Sequence, residues 1–205
     1  MKHSMKSKKN RTRKVPRVFS KKDFTSGDGM LTNVWGPAMW HYLHTISFNY
    51  PIHPSGKDKK YYRQQIMNLQ HTLPCRYCRE NLKKNLAEMP LEDCHLESRN
   101  TFSRYLYALH EKVNKMLGKK SGLTYCDVRE RYEHFRARCF TDDKKKTLES
   151  WHKRQTRKLP KGKGKEKGCT TPLYGKKSRC ILKIVPDSVK CQSLSVDKKC
   201  LKRRD

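Results

Sequence analysis

The stretch DKKYYRQQIMNLQHTLPCRYC (residues 58–78) runs a helical stripe directly into a C-x-x-C pair. Tyr62, Ile66, Leu69 and Leu73 recur at i, i+4, i+7 and i+11, one apolar face of an α-helix. This predicts a helix over 58–73. Pro74 suits the first turn of the next helix, where its missing N–H costs nothing. That helix would carry Cys75, Cys78, Leu82 and Leu86 at spacings of three and four. The four share a face, so the dithiol is expected to look toward a core.

The flanking segments read the same way. Trp35-Gly36-Pro37 opens a first helix, with Pro37 in its first turn. Trp40, Leu43, His44 and Ser47 line one face, and Tyr50-Pro51 ends it. A fourth helix is expected from Asn100 to Leu117, capped by Asn100 or Ser98. Phe102, Tyr105, Leu106, Leu109, Val113 and Met116 form its apolar face, and Gly118 with two lysines marks its end. Thr124-x-x-Asp127 has capping-box spacing and precedes a short fifth helix bearing Val128, Tyr132 and Phe135. Neither strand-length alternation nor an internal repeat is seen. The expected fold is all-α: a four-helix bundle plus a short fifth helix, with disordered basic N- and C-terminal extensions.

Charge divides the chain into the same parts. The 205 residues carry 49 Lys+Arg against 19 Asp+Glu, a net +30. Residues 1–29 hold +8, residues 30–140 hold +8 and residues 141–205 hold +14. The ends are poor in large apolar groups and cannot offset their own ordering entropy. Residues 30–140 hold most of the aromatic side chains and form the expected domain. The one apolar island of the tail, Cys180–Val185, reads as a short strand or docking segment. No run of about 18 apolar residues exists, so no membrane span is expected. Met1 to Phe19 lacks an apolar stretch of roughly 7–15 residues, so secretion is not expected. The first 22 residues contain no acid but little amphipathic apolar content, and a mitochondrial presequence is not expected either.

Nine cysteines is an odd number, so at least one is free, intermolecular or in exchange. In a reducing compartment a C-x-x-C is catalytic or metal-binding. A zinc site needs four ligands; the nearest further donors, Cys94-His95, are adjacent and cannot usually both reach one ion. A thioredoxin-like centre needs a βαβ context, and here a helical stripe precedes the dithiol. A disulfide across four residues removes little chain entropy, so a structural staple explains it poorly. A redox dithiol on a helical scaffold remains. A helix start at this point would favour thiolate, shifting a cysteine from about 8.5 toward roughly 3.5–7.5. Net disulfide synthesis then needs an electron sink, and a flavin serves.

Two further stretches bear on that sink: Trp35-Gly36-Pro37-Ala38-Met39-Trp40-His41-Tyr42-Leu43-His44 and His110-Glu111-Lys112-Val113-Asn114-Lys115-Met116-Leu117-Gly118-Lys119. With Leu73-Pro74-Cys75-Arg76-Tyr77-Cys78 between them, residues 33–135 resemble the ERV/ALR family of FAD-linked sulfhydryl oxidases. The W-G-P opening and compact size are most similar to the versions encoded by large cytoplasmic DNA viruses. The resemblance implies that Trp40, His44, His110 and Asn114 hold FAD. Trp35 and Gly36 would set the first-helix backbone against it. Lys119 or Lys120 would lie near its phosphates, and Tyr132 would close the adenine side. It implies that Cys75 exchanges with protein thiol substrates while Cys78 faces the isoalloxazine. Electrons would pass to O2, giving hydrogen peroxide. A homodimer, and a host-cytoplasm or virion location, follow from the same resemblance. His110/Asn114 and Trp40/His44 are each i, i+4 pairs, so each projects from one helical face.

The chain also departs from the family pattern. Gly36-Pro37 stands where non-viral members carry Gly-Arg. Tyr107 replaces a cysteine, which leaves Cys126 without that partner. Glu111 replaces the first Asn of an H-N-x-V-N motif. The tail cysteines Cys169, Cys180, Cys191 and Cys200 include no C-x-x-C, so they could relay electrons to Cys75 or pair with one another or with another subunit. A competing reading is a basic nucleic-acid-binding or virion structural protein on the same scaffold. It rests on the +22 in the two ends, which could also add non-specific nucleic-acid contact to an oxidase.

Overall fold

The computed structural model describes residues 18–138, 169, 171–192 and 194–202. Six helices follow in order: α1 Lys21–Phe24, α2 Thr32–Asn49, α3 Gly56–Thr72, α4 Arg76–Glu88, α5 Arg99–Met116 and α6 Tyr125–Glu133. A 3-10 turn over Asp93–Leu96 leads into α5. Two residue pairs, β1 Ala137–Arg138 and β2 Thr171–Pro172, meet antiparallel. The expected fold, four helices with a short fifth, is the one observed, with α1 as a single added turn.

Capping residues set most of the boundaries. Ser55 and Asp58 form a reciprocal box that starts α3 two residues before the expected Asp58. Ser98 and Thr101 do the same for α5, so Ser98 rather than Asn100 is its cap. Thr124 and Asp127 box α6 as the spacing predicts. Each box satisfies N–H groups that the first helical turn leaves unpaired. At the other end of α5, Gly118 takes φ +66°. There the Gly118 N–H bonds the Lys115 carbonyl (3.1 Å) and the Lys119 N–H bonds the Asn114 carbonyl (2.8 Å), a Schellman stop.

Two expected starts are corrected. Helix α2 begins at Thr32, so Pro37 lies inside it. Pro37 therefore leaves the Asn33 carbonyl without its helical donor, a cost that packing further along α2 offsets. Helix α4 begins at Arg76, with Cys75 as its extended N-cap rather than a helical residue. The predicted face of Cys75, Cys78, Leu82 and Leu86 therefore holds only in part. Leu82 and Leu86 are buried, while both cysteines are half-buried.

The core forms where α2 and α3 meet α4 and α5. Leu43, Ile66, Leu69, Leu82, Leu86, Leu96, Phe102, Leu106 and Leu109 pack there. Tyr50 is fully buried; its hydroxyl donates to the Leu96 carbonyl at 2.9 Å, and Arg99 Nε donates to the Tyr50 carbonyl at 2.7 Å. These bonds tie the end of α2 to the start of α5. Val113 is half-buried and Met116 exposed, so the expected α5 face leaves the core at its last turn. A second cluster, Phe48, Tyr125, Val128 and Tyr132, fixes α6 against α2, with Phe135 just past the helix packing on it.

The expected extensions fall partly outside the described residues, namely at 1–17, 141–168, 170, 193 and 203–205. The described tail returns to the residues just past α6: the Leu173 N–H bonds the Arg136 carbonyl (2.8 Å), and the Lys202 N–H bonds His134 Nδ1 (3.1 Å). Residues 180–185 adopt no regular structure, and Ile181, Leu182 and Ile184 are exposed. No described helix is long and apolar enough to cross a membrane.

Candidate functional site

Helix α2 links two groups of reactive side chains. At its first residue, Thr32 Oγ1 lies 3.8 Å from Cys78 Sγ. Eight and twelve residues on are Trp40 and His44, about 12 and 18 Å along the axis.

The dithiol is built from helix ends and an incoming strap. Cys75 caps α4 through its sulfur, which accepts the Cys78 N–H at 3.3 Å. The strap approaches Pro74 closely: the Met30 N–H bonds the Pro74 carbonyl at 2.9 Å. A Cβ on Gly29 would stand 2.9 Å from that same oxygen, so only glycine passes there without a shift. Trp35 Nε1 donates to the Met30 carbonyl at 3.1 Å, which fastens the strap to α2. Both sulfurs are free thiols. The hydrogen bond from Cys78, with the helix-start N–H groups, lowers the Cys75 thiol below its ordinary range. Burial, with the neighbouring Cys75, raises Cys78. The first proton of the pair therefore leaves Cys75.

The second group is buried. The Trp40 indole stacks on the His110 imidazole at 3.9 Å and 6°, and His44 Nε2 meets His110 Nδ1 at 2.9 Å. One ring of the pair donates and the other accepts, so neither need be charged. Burial pushes His44 down to about 3, helped by His110 and His41, and burial pushes His110 down to about 4. Both are neutral at pH 7. His44 Nδ1 is buried without a hydrogen-bond partner. Tyr132 packs 5.4 Å from His44, and its hydroxyl meets His41 Nδ1 at 3.2 Å. Burial raises its phenol to about 12, so it stays protonated. Asn114 lies one turn beyond His110 and donates to Glu111 Oε1 at 3.0 Å.

The structure thus joins Trp40, His44, His110 and Tyr132 in one cluster, with Asn114 on the same helix. Trp35 and Gly36 lie between that cluster and the dithiol. A Cβ on Gly36 would meet only Thr32 Cγ2, at 3.7 Å, so the backbone there is open to a neighbour. Lys119 and Lys120 are exposed beyond the end of α5, and no described contact brings their ammonium groups to the cluster. His41 and Thr32 were missed by sequence reasoning. His41 stands three residues before His44, a helical spacing that signals a shared side. Thr32 carries no such signal, because its role depends on where the strap places α2. The residues suit a flat, hydrogen-bonding ring system: stacked aromatic faces, an orphaned imidazole nitrogen, an amide and a bare glycine backbone. Among the described residues no group of three or more His, Cys, Asp or Glu side chains could hold a metal ion.

Fold and site together define a helical dithiol protein whose thiol pair shares a helix with a neutral, aromatic–histidine cluster. A sequence model of the Erv1/Alr family matches residues 37–136. A protein of Acanthamoeba polyphaga mimivirus named "Probable FAD-linked sulfhydryl oxidase" is 35% identical over 99 residues, 48% of this chain and 68% of that protein. An African swine fever virus protein named "FAD-linked sulfhydryl oxidase" is 35% identical over 86 residues, 42% of this chain and 70% of that protein. The crystal structure of the yeast Erv1 core aligns with a TM-score of 0.47 and 25% identity, over 59% of this chain and 95% of that one. The chain belongs to the Erv1/Alr family.

Proposed function

We propose that this protein is an FAD-dependent sulfhydryl oxidase that makes disulfides in protein substrates. The observation that carries the reading is the arrangement along α2. A dithiol lies at its first residue (3.8 Å from Thr32) and a stacked Trp40–His110 pair lies farther along it. Residues 30–140 are the catalytic domain, and 1–29 and 141–205 are extensions.

Trp40, His44, His110, Asn114 and Tyr132 would hold the FAD, flanked by Trp35 and Gly36, with Lys119 and Lys120 nearest in sequence for its phosphates. When bound, FAD would supply a two-electron acceptor for the dithiol, with O2 as the final oxidant and hydrogen peroxide as the product. The residues of the chain do the rest. In the oxidised enzyme a substrate thiolate attacks Cys75, breaking the Cys75–Cys78 bond and releasing Cys78 as thiolate. A second substrate thiolate attacks the substrate sulfur of that mixed disulfide and expels Cys75. The substrate leaves as a disulfide, and the pair holds two electrons. Cys75 is the better placed to leave, because its thiol is the more acidic of the two. Cys78, whose sulfur lies 3.8 Å from Thr32 Oγ1 at the start of α2, is the one assigned to the cofactor side. The neutral histidines keep the cluster uncharged and dry, so ring stacking is not weakened by solvated ions.

A homodimer acting in host cytoplasm or in a virion accords with the viral relatives. The basic ends support at most an added, salt-sensitive contact with nucleic acid. The purified protein should be yellow and consume oxygen when given a dithiol. A colourless protein that stays inactive after FAD is added would sink the reading.

A further inference from the structure

We propose that Thr32 is a positioning residue for the dithiol: its hydroxyl donates to the Cys78 sulfur once that sulfur loses its proton, and so eases its ionisation. The inference rests on the oxidase reading for its purpose, but not for its geometry.

Three observations carry it. Thr32 Oγ1 is 3.8 Å from Cys78 Sγ, within reach of a sulfur hydrogen bond. In the thiol either atom could donate; in the thiolate only the threonine can, so the bond favours the charged form. Next, two helix starts converge on this sulfur pair. Thr32 is the first residue of α2, and Cys75 caps α4. The positive ends of both helices favour negative charge there.

The third observation is a contrast among the helix starts. Helices α3 and α6 begin with boxes whose partner is an aspartate, Asp58 or Asp127. Helices α2 and α4, like α5, have no acidic residue in the first turn, and Leu31, at the cap of α2, makes no side-chain cap bond. An aspartate box at either start would set a carboxylate beside the thiols and oppose their ionisation. Thr32 instead spends its hydroxyl on sulfur. The charged groups on the surrounding elements are Asp28 on the strap, Arg76, Arg79 and Glu80 on α4, and Asp187, whose Oδ1 meets Asn33 Nδ2 at 3.4 Å. Arg76 pairs with Glu80 at 3.7 Å, and Arg79 donates to the Leu73 carbonyl. None of these occupies the place of the hydroxyl. Thr32 lowers both thiols, Cys75 as well as Cys78, and at Cys78 it acts against the opposing effect of burial.

The test is alkylation of the reduced full chain by iodoacetamide across a pH series under argon, with Cys78 followed by peptide mass spectrometry. Thr32 is exposed, so Thr32→Val, which keeps the shape, is expected to fold. The Cys78 profile should move to higher pH, with its rate at a fixed pH below the midpoint falling about threefold to tenfold. Thr32→Ser should restore it. An unchanged Cys78 profile in Thr32→Val, in a wild type that oxidises thiols, would overturn the Thr32 assignment and leave the oxidase reading intact. A shifted profile in a chain that never oxidises thiols would support Thr32 and remove the oxidase.

Discussion

The dithiol and the histidine cluster lie along the same helix yet are built by opposite means. At the start of α2, sulfur is held by backbone ends, a threonine hydroxyl and a strap pinned at Pro74, and both cysteines stay half-buried. Farther along, Trp40, His44, His110 and Tyr132 are held by ring stacking and one imidazole pair, and His44 is only 4% exposed. The first arrangement favours charge and access; the second excludes both. The difference teaches a division of labour. A sulfur that meets another protein's thiol must be reachable and ionisable, whereas a cluster that cradles a flat cofactor must be dry and neutral.

The largest expected effect breaks the pair at the dithiol alone. Cys78→Ser should lower thiol-driven oxygen consumption by about 10³-fold or more while the protein keeps its yellow colour. A colourless Cys78→Ser protein would mean that the two regions are not separable. The reverse cut is Trp40→Ala. Loss of its stack on His110 should weaken FAD retention about tenfold or more, measured by flavin released on dialysis. Its cysteines should still exchange with glutathione disulfide at the wild-type rate.

Acid should damage the cluster. His44 is held at about 3 and His110 at about 4, both below the ordinary 6.5. Their contribution to stability is complete above pH 6.5. It falls as the pH drops toward 4, because the unfolded chain takes up protons that the folded one refuses. The loss at pH 4 is on the order of 3 kcal/mol per histidine. A thermal-melt series from pH 7 to pH 4 reads it, and His44→Gln should flatten the slope.

The smallest effect returns to the dithiol end. Gly29→Ala places a methyl 2.9 Å from the Pro74 carbonyl oxygen. It should cost about 1 kcal/mol in denaturant unfolding without changing flavin content.

The two regions also differ in how far they could be read from the sequence. The cluster follows from spacing: Trp40/His44 and His110/Asn114 each recur at i, i+4, and Tyr132 sits on a helix announced by Thr124-x-x-Asp127. The bundle was legible for the same reason, since Ile66, Leu69, Phe102, Leu106 and Leu109 all fall on the expected buried faces. The dithiol end was misread at both helix starts. Pro37 suggested a start that lies one and a half turns too late, because Leu31 offers no capping side chain to mark the true one. Pro74 suggested a start where Cys75 is in fact the cap. Both boundaries are set by contacts between distant segments, Met30 with Pro74 and Thr32 with Cys78, and local propensity holds no record of those. Tyr107 and Glu111, which depart from the family pattern, have local explanations. The Tyr107 hydroxyl donates to the Leu123 carbonyl at 2.7 Å and ties α5 to the segment before α6, and Glu111 accepts from Asn114.

The central claim is that electrons travel from the Cys75–Cys78 pair to a flavin held by the cluster. Anaerobic mixing of the purified protein with a dithiol, followed by absorbance, tests it most directly. The account predicts that the oxidised flavin band bleaches in the wild type and persists in Cys78→Ser. Equal bleaching in both proteins, or a wild-type band that a dithiol leaves unchanged, would contradict it.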